Sequence, residues 1–250
     1  MNMNENHFPR IMKYLESIKS RYFRAFSAFH VFETLEEALA INVVGKEKAE
    51  ENLKVIRMFS GFFLMSKEAL RVYFFLELAK LFDSSNQSLQ INKIINITES
   101  NISKLTVNDF EDFNKDRKLL KELTEGYKGI THKNLKEIKD LLKKEQSVID
   151  KLRVYRDKWL AHDDIDKPEI PEINSIELRS LFDSFAKIIN IFGSNMNHES
   201  TMWSQAEDSS KFDTQYVLNH LYRFEKYRIQ EIEDEAKAEI EKMNNLRTQA

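Results

Sequence analysis

Apolar residues recur at helical spacing along almost the whole chain. Ile11, Leu15, Ile18, Tyr22, Phe26 and Phe29 make one stripe, which predicts a first helix from about Phe8 to Val44 with Gly45 as its C-cap. A second helix is expected from about Lys46 to Phe82. Its middle, Ile56 to Leu81, carries Phe, Leu and Met on more than one face. That pattern predicts a central helix covered from several sides, with the Met and Phe residues as core filler.

Polar breaks punctuate the rest. Asp83 to Asn86 interrupts the pattern, and Ser88 is placed to cap a short helix reaching Thr98. Thr106 with Asp109 reads as a capping box opening a helix that ends near Gly126 and Gly129. Thr131 caps a helix from His132 to about Leu160. A loop with Pro168 and Pro171 follows, then a helix from about Ser175 to Asn195. Residues 198 to 211 read as a loop holding Trp203, and a charged helix fills Asp213 to Leu246. The expected fold is all-α, a bundle of long antiparallel helices. The expected domains are residues 1–200 as the bundle and 201–250 as a loop and charged helix packed on it.

Composition sharpens this picture. The chain has 5 Gly and 3 Pro in 250 residues, too few for the turns of an all-β fold. It has no Cys, which excludes disulfides, thiolate metal sites and cysteine nucleophiles and suits a reducing cytoplasm. No apolar run is long enough to span a membrane, so a soluble, cytoplasmic protein is expected. Between Lys115 and Lys158 there are 14 Lys and Arg against 8 Asp and Glu. That excess allows an anionic partner, or a solvated helical face with paired charges.

The candidate chemistry lies in Leu152–Asp166, LRVYRDKWLAHDDID. On an ideal helix from His132, Arg156 falls on the apolar face with Ile138, Ile149, Leu152 and Tyr155. A cation there needs an ion pair, a snorkelling path or a cleft. His162 follows at R-x5-H spacing. On one continuous helix the two side chains would lie about 120° and about 9 Å apart. Either the helix ends between them, or two copies of the stretch pool their side chains. Spacing alone does not single this pair out, because Arg24 and His30 share it. Arg24, however, points away from its own helix's apolar stripe.

Tyr155 to Asp164, YRDKWLAHDD, resembles the signature of the HEPN superfamily in its abortive-infection branch: an Arg, a polar residue, and a His four to six positions on. Leu76 to Ile95, LELAKLFDSSNQSLQINKII, resembles the same branch's L-x-x-L-F-D helix end, polar loop and Ser-Leu opening. The likeness covers roughly Phe8 to Asn195. It implies a helical bundle that forms a homodimer, with metal-independent endoribonuclease activity at the dimer cleft. Such proteins act as toxins or phage-defence effectors, with RNA as substrate and a neutralising antitoxin as a possible partner. By the resemblance Arg156 binds the scissile phosphate, His162 is the general acid or base, and Asp157 orients one of them or contacts a base. Tyr155 and Lys158 are supporting residues. No metal, cofactor or membrane is implied.

Two other readings stay open. His162-Asp163 is an HD dipeptide, and with His132, Asp164 and Asp166 it suggests a metal-dependent phosphohydrolase. Asp164 and Ile165 follow it, however, where that family usually has an apolar residue and Gly. A non-catalytic interaction module, antitoxin-like or adaptor-like, would use Arg156 in a structural ion pair.

Overall fold

A computed structural model describes residues 7–83, 89–157 and 171–248, with side chains to residue 244. Among these residues the chain is all-α, as the periodicity predicts, with eleven helices and no strand. None of the helices is long and apolar enough to cross a membrane. The chain divides into two compact units. One comprises residues 1–28 and 71–206, the other residues 29–70 and 207–250.

Helix α1 runs His7–Glu37, shorter than expected, and α2 is a separate turn at Ile41–Val44. The interruption is stabilised by the buried Asn52, whose amide donates to the Ala38 carbonyl at 2.9 Å. An exposed-backbone break is thereby satisfied inside the fold. Gly45 caps α2 as predicted, at φ +81, and opens α3, Lys46–Met58. The expected second helix is broken at Phe59, which packs into the cluster of Leu35, Val55, Phe63 and Leu218. Helix α4 resumes at Ser60–Leu81. Only part of it is central. Phe74, Phe75, Leu78 and Leu81 are buried, whereas Phe62, Leu64 and Met65 are exposed. The expectation of a helix covered all round is corrected for that first stretch.

In the first unit, α5 (Ile91–Asn101) precedes α6 (Val107–Phe113), which opens on the predicted Thr106/Asp109 box. The helix expected to continue to Gly126 stops at Asn114, whose amide turns back to the Phe110 carbonyl. Helix α7 is separate, at Leu120–Gly126. Thr131 caps α8, His132–Lys144, with Asn134 completing its box. The long helix expected here is also broken. Glu145 interrupts it, and α9 follows at Gln146–Tyr155. The Glu145 carboxylate is buried and accepts from Ser180 at 2.8 Å and Ser184 at 2.9 Å, both on α10 (Ser175–Asn197). Burial by itself would raise that carboxyl, but the hydroxyls and Lys144 outweigh it and hold it below its usual value.

The core of this unit centres on Tyr22, which is fully buried and donates to the Phe182 carbonyl at 2.8 Å. Its ring stacks on Phe185 at 5.2 Å and meets Trp203 edge-on at 4.6 Å. Trp203 is therefore core, and the expected loop around it is the first turn of α11, Trp203–Thr248. Between α10 and α11 the chain turns sharply at His198, φ +50. Gly193 makes that turn possible, because a Cβ there would sit 2.6 Å from the Glu199 carbonyl oxygen.

Candidate functional site

The end of α4 and the end of α9 meet, through Asp83 of one family-like stretch and Arg156 of the other. Helix α4 ends at Leu81, and Phe82 and Asp83 follow it directly. Its final carbonyls have no partner within the helix. Arg153 on α9 supplies one, donating from Nη2 and Nε to the Phe82 carbonyl at 3.0 and 3.3 Å. Its Nη1 also reaches Asp150 at 3.1 Å. Cations at a helix C-terminus are favoured by the helix dipole as well as by the hydrogen bonds. Beneath them Tyr155 is buried and stacks on Phe75 at 4.7 Å. Its place is therefore that of a packing residue holding α9 to α4.

One residue further on, the backbone widens into a π-helical turn at Arg156 and Asp157. Such turns re-aim side chains and are frequent at functional sites. Arg156 is about three-quarters covered, at 23 % side-chain exposure. Its Nε lies 2.6 Å from Asp157 Oδ1 and its Nη1 lies 3.1 Å from Asp83 Oδ1. The hydrogen bond that the guanidinium donates to Asp157, and the weaker one to Asp83, raise it above its ordinary value, against burial. It is therefore a fixed positive charge. Asp83 is as covered as its partner, at 22 %, while Asp157 is 53 % exposed.

The apolar-face arginine thus has the ion pairs that its position demands. Of the two orienting roles expected for Asp157, the one toward Arg156 falls within the described residues, and there Asp157 accepts from the guanidinium. Lys158 and His162 lie outside the described residues, as do the HD dipeptide and the expected helix end at Leu160. The sequence reading named no role for Asp83 or Arg153. The signal for Asp83 was present in the L-F-D run, but a carboxylate after a helix also reads as an ordinary polar break.

Part of the basic excess between Lys115 and Lys158 is taken up in ion pairs. Lys139 pairs with Glu99 and Lys151 with Glu177, each at 2.6 Å. Arg117 donates to the Asn197 carbonyl at 2.9 Å and lies 3.4 Å from Glu199. The solvated face with paired charges is the reading that these contacts support. The other R-x5-H pair resolves into unrelated environments. Arg24 is exposed and bonds Ser20 at 3.2 Å, whereas His30 is buried beside Glu33 at 3.4 Å. Among the described residues no group of three or more His, Asp or Glu is placed to hold a metal ion.

Neither the curated proteins nor the solved structures contain a match to this chain. A family profile described as HEPN AbiU2 matches residues 5–217. The match takes in both stretches that meet at Arg156, and more than half of the chain. With an all-α fold, an L-F-D helix end and an Arg-Asp pair clamped together, this chain belongs to the HEPN AbiU2 family of abortive-infection-type HEPN proteins.

Proposed function

We propose that this protein is a metal-independent endoribonuclease, acting as a toxin or phage-defence effector in the cytoplasm, with its site at the cleft of a homodimer. The observation that carries the reading is the pairing of Arg156 with Asp83. It orients a guanidinium that is always charged, within a π turn, at the position that the HEPN resemblance assigns to phosphate. Asp157, the more exposed of its two carboxylate partners, is the one a phosphate would displace. Asp83 would keep the guanidinium plane in place.

In the proposed reaction the ribose 2′-oxygen attacks the adjacent phosphorus and the 5′-oxygen leaves. His162 moves the proton of one or the other, which suits a side chain whose ordinary pKa lies near neutrality. Arg156 stabilises the charge on the pentacoordinate phosphorus. The products are a 2′,3′-cyclic phosphate and a 5′-hydroxyl, so RNA is cut and DNA is not. Lys158 supports phosphate binding, and a neutralising antitoxin would silence the protein before infection.

One observation favours a second reading. Arg156 already has two carboxylates, as it would in a non-catalytic interaction module. Purified protein with RNA in EDTA separates the two. Cleavage lost in both Arg156→Ala and His162→Ala supports the nuclease. Intact RNA in EDTA but cleavage with added divalent metal supports the HD-type phosphohydrolase. No cleavage under either condition supports the interaction module. In cells, expression should slow growth and the His162→Ala form should not.

A further inference from the structure

Helix α11 is half packed and half bare. Leu218 is buried among Leu35, Ala38, Val55 and Phe63, with Leu221 and Tyr222 against the same cluster. From Lys226 to Asn244 every residue is exposed. This stretch also lies beyond the family match, which stops at residue 217. Its apolar face nevertheless continues. At 100° per residue, Ile229, Ile232, Ala236, Ile240 and Met243 fall within about 80° of one another and in line with Leu218. Ile229, Ile232, Ile240 and Met243 are 47, 51, 54 and 52 % exposed. A stripe this narrow is a coiled-coil seam rather than a globular core face.

We propose that residues 226–248 pair with the same stretch of a second copy of this chain, as an antiparallel two-stranded coiled coil crossing between Lys237 and Ala238. In heptad terms Ile229, Ala236 and Met243 are a positions, Ile232 and Glu239 are d positions, and Ile240 flanks the seam at e. The antiparallel register sets Ile232 opposite Met243 of the second copy, with Ile229 toward the outer end of the seam. It sets Glu239 opposite the small Ala236, where the carboxylate can lean to solvent. Glu235 and Lys242, both g positions, meet across the seam twice.

Charge rejects the alternatives. A parallel pair in register puts Glu239 against its own copy in the seam. Sliding the antiparallel pair one heptad toward the bundle opposes Glu233 to Glu233 and Glu235 to Glu235, with Arg228 against Lys242. Sliding it two heptads runs the second copy's end onto the face that Leu218 and Tyr222 already use. The chosen overlap is about three heptads, or about 33 Å. The pairing is independent of the ribonuclease reading and of any cleft around Arg156.

The chain contains no cysteine, so introduced thiols report without background. Full-length protein carrying Ile232→Cys and Met243→Cys is oxidised at low micromolar concentration. Most of it should run as a covalent dimer on a non-reducing gel. Ile232→Cys alone should stay monomeric, because its own copy is about 16 Å away along the axis, beyond disulfide reach. Adding Ile229→Glu to the double variant should cut the cross-linked fraction about tenfold, with helical content by circular dichroism unchanged. Ala236→Cys with Glu239→Cys repeats the test if the first pair disturbs folding. A folded double variant that stays monomeric overturns the proposal. Cross-linking by Ile232→Cys alone overturns it in favour of a parallel pair.

Discussion

Arg156 Nη1 lies 3.1 Å from Asp83 Oδ1, which ties the end of α9 to the residue that closes the L-F-D run of α4. The two residues are 73 positions apart in the chain, and each supplies a counter-charge to the other at a place where both are about three-quarters covered.

The arginine itself gives the first prediction. Arg156→Ala should abolish RNA cleavage in EDTA, by at least about a hundredfold. Arg156→Lys should fail to restore it, because an ammonium cannot reproduce the planar fork that bonds Asp83 and Asp157 through separate nitrogens. The stability cost of the alanine variant should be modest, about 1 kcal/mol by urea denaturation, since solvent screens a pair that is partly exposed. A loss of several kcal/mol would show that Arg156 serves the fold rather than a phosphate.

Asp83 is read as a positioning residue, and its variant separates orientation from binding. Asp83→Asn keeps the shape and removes the charge that steers Arg156. Single-turnover cleavage should slow by about tenfold with KM nearly constant, because the guanidinium would be misdirected rather than lost. Asp83→Glu should recover part of the rate. A parallel rise in KM with no change in kcat would contradict this role.

Glu145 should report on pH. Its folded-state pKa is lowered, so its contribution to stability is present above the unfolded carboxylate range and is lost as pH falls through the folded value. Glu145→Gln should therefore be less stable than the parent chain at pH 7, and the difference should shrink as the pH drops below about 4. Glu145→Ala should cost about 1–3 kcal/mol at neutral pH, because the Ser180 and Ser184 hydroxyls lose their acceptor. Denaturation midpoints measured across that pH range provide the check.

Gly193 is the position where the smallest addition should do the most. Gly193→Ala sets a methyl 2.6 Å from a backbone oxygen, which a rotamer change cannot relieve. The turn between α10 and α11 must then open, at a cost of about 1–3 kcal/mol by denaturant unfolding. Gly61→Ala is the control. A Cβ there meets nothing within 4 Å, and alanine is the better helix former by about 1 kcal/mol.

Helix existence was legible in the chain, and helix continuity was not. Thr106/Asp109 and Thr131 mark their helix starts because a capping box is built from residues three apart. The breaks at Phe59, Asn114 and Glu145 leave no such mark. Glu145 sits in an unbroken helical pattern, and only Ser180 and Ser184, 35 and 39 residues away, give its carboxylate a reason to turn inward. Trp203 was similar: polar neighbours suggested a loop, but its burial beside Tyr22 makes it the start of a helix.

The sequence by itself determined the all-α class and the family, since periodicity, caps and short motifs act over a few residues of chain. It placed an arginine on an apolar face and therefore required a partner for it. Only the tertiary structure decided that the partner is Asp83, that Arg153 caps the same helix end, and that Lys139 and Lys151 of the basic stretch pair with Glu99 and Glu177 from outside it. Those outcomes depend on which helix ends come together, and a charge finds its counter-ion across space rather than along the chain.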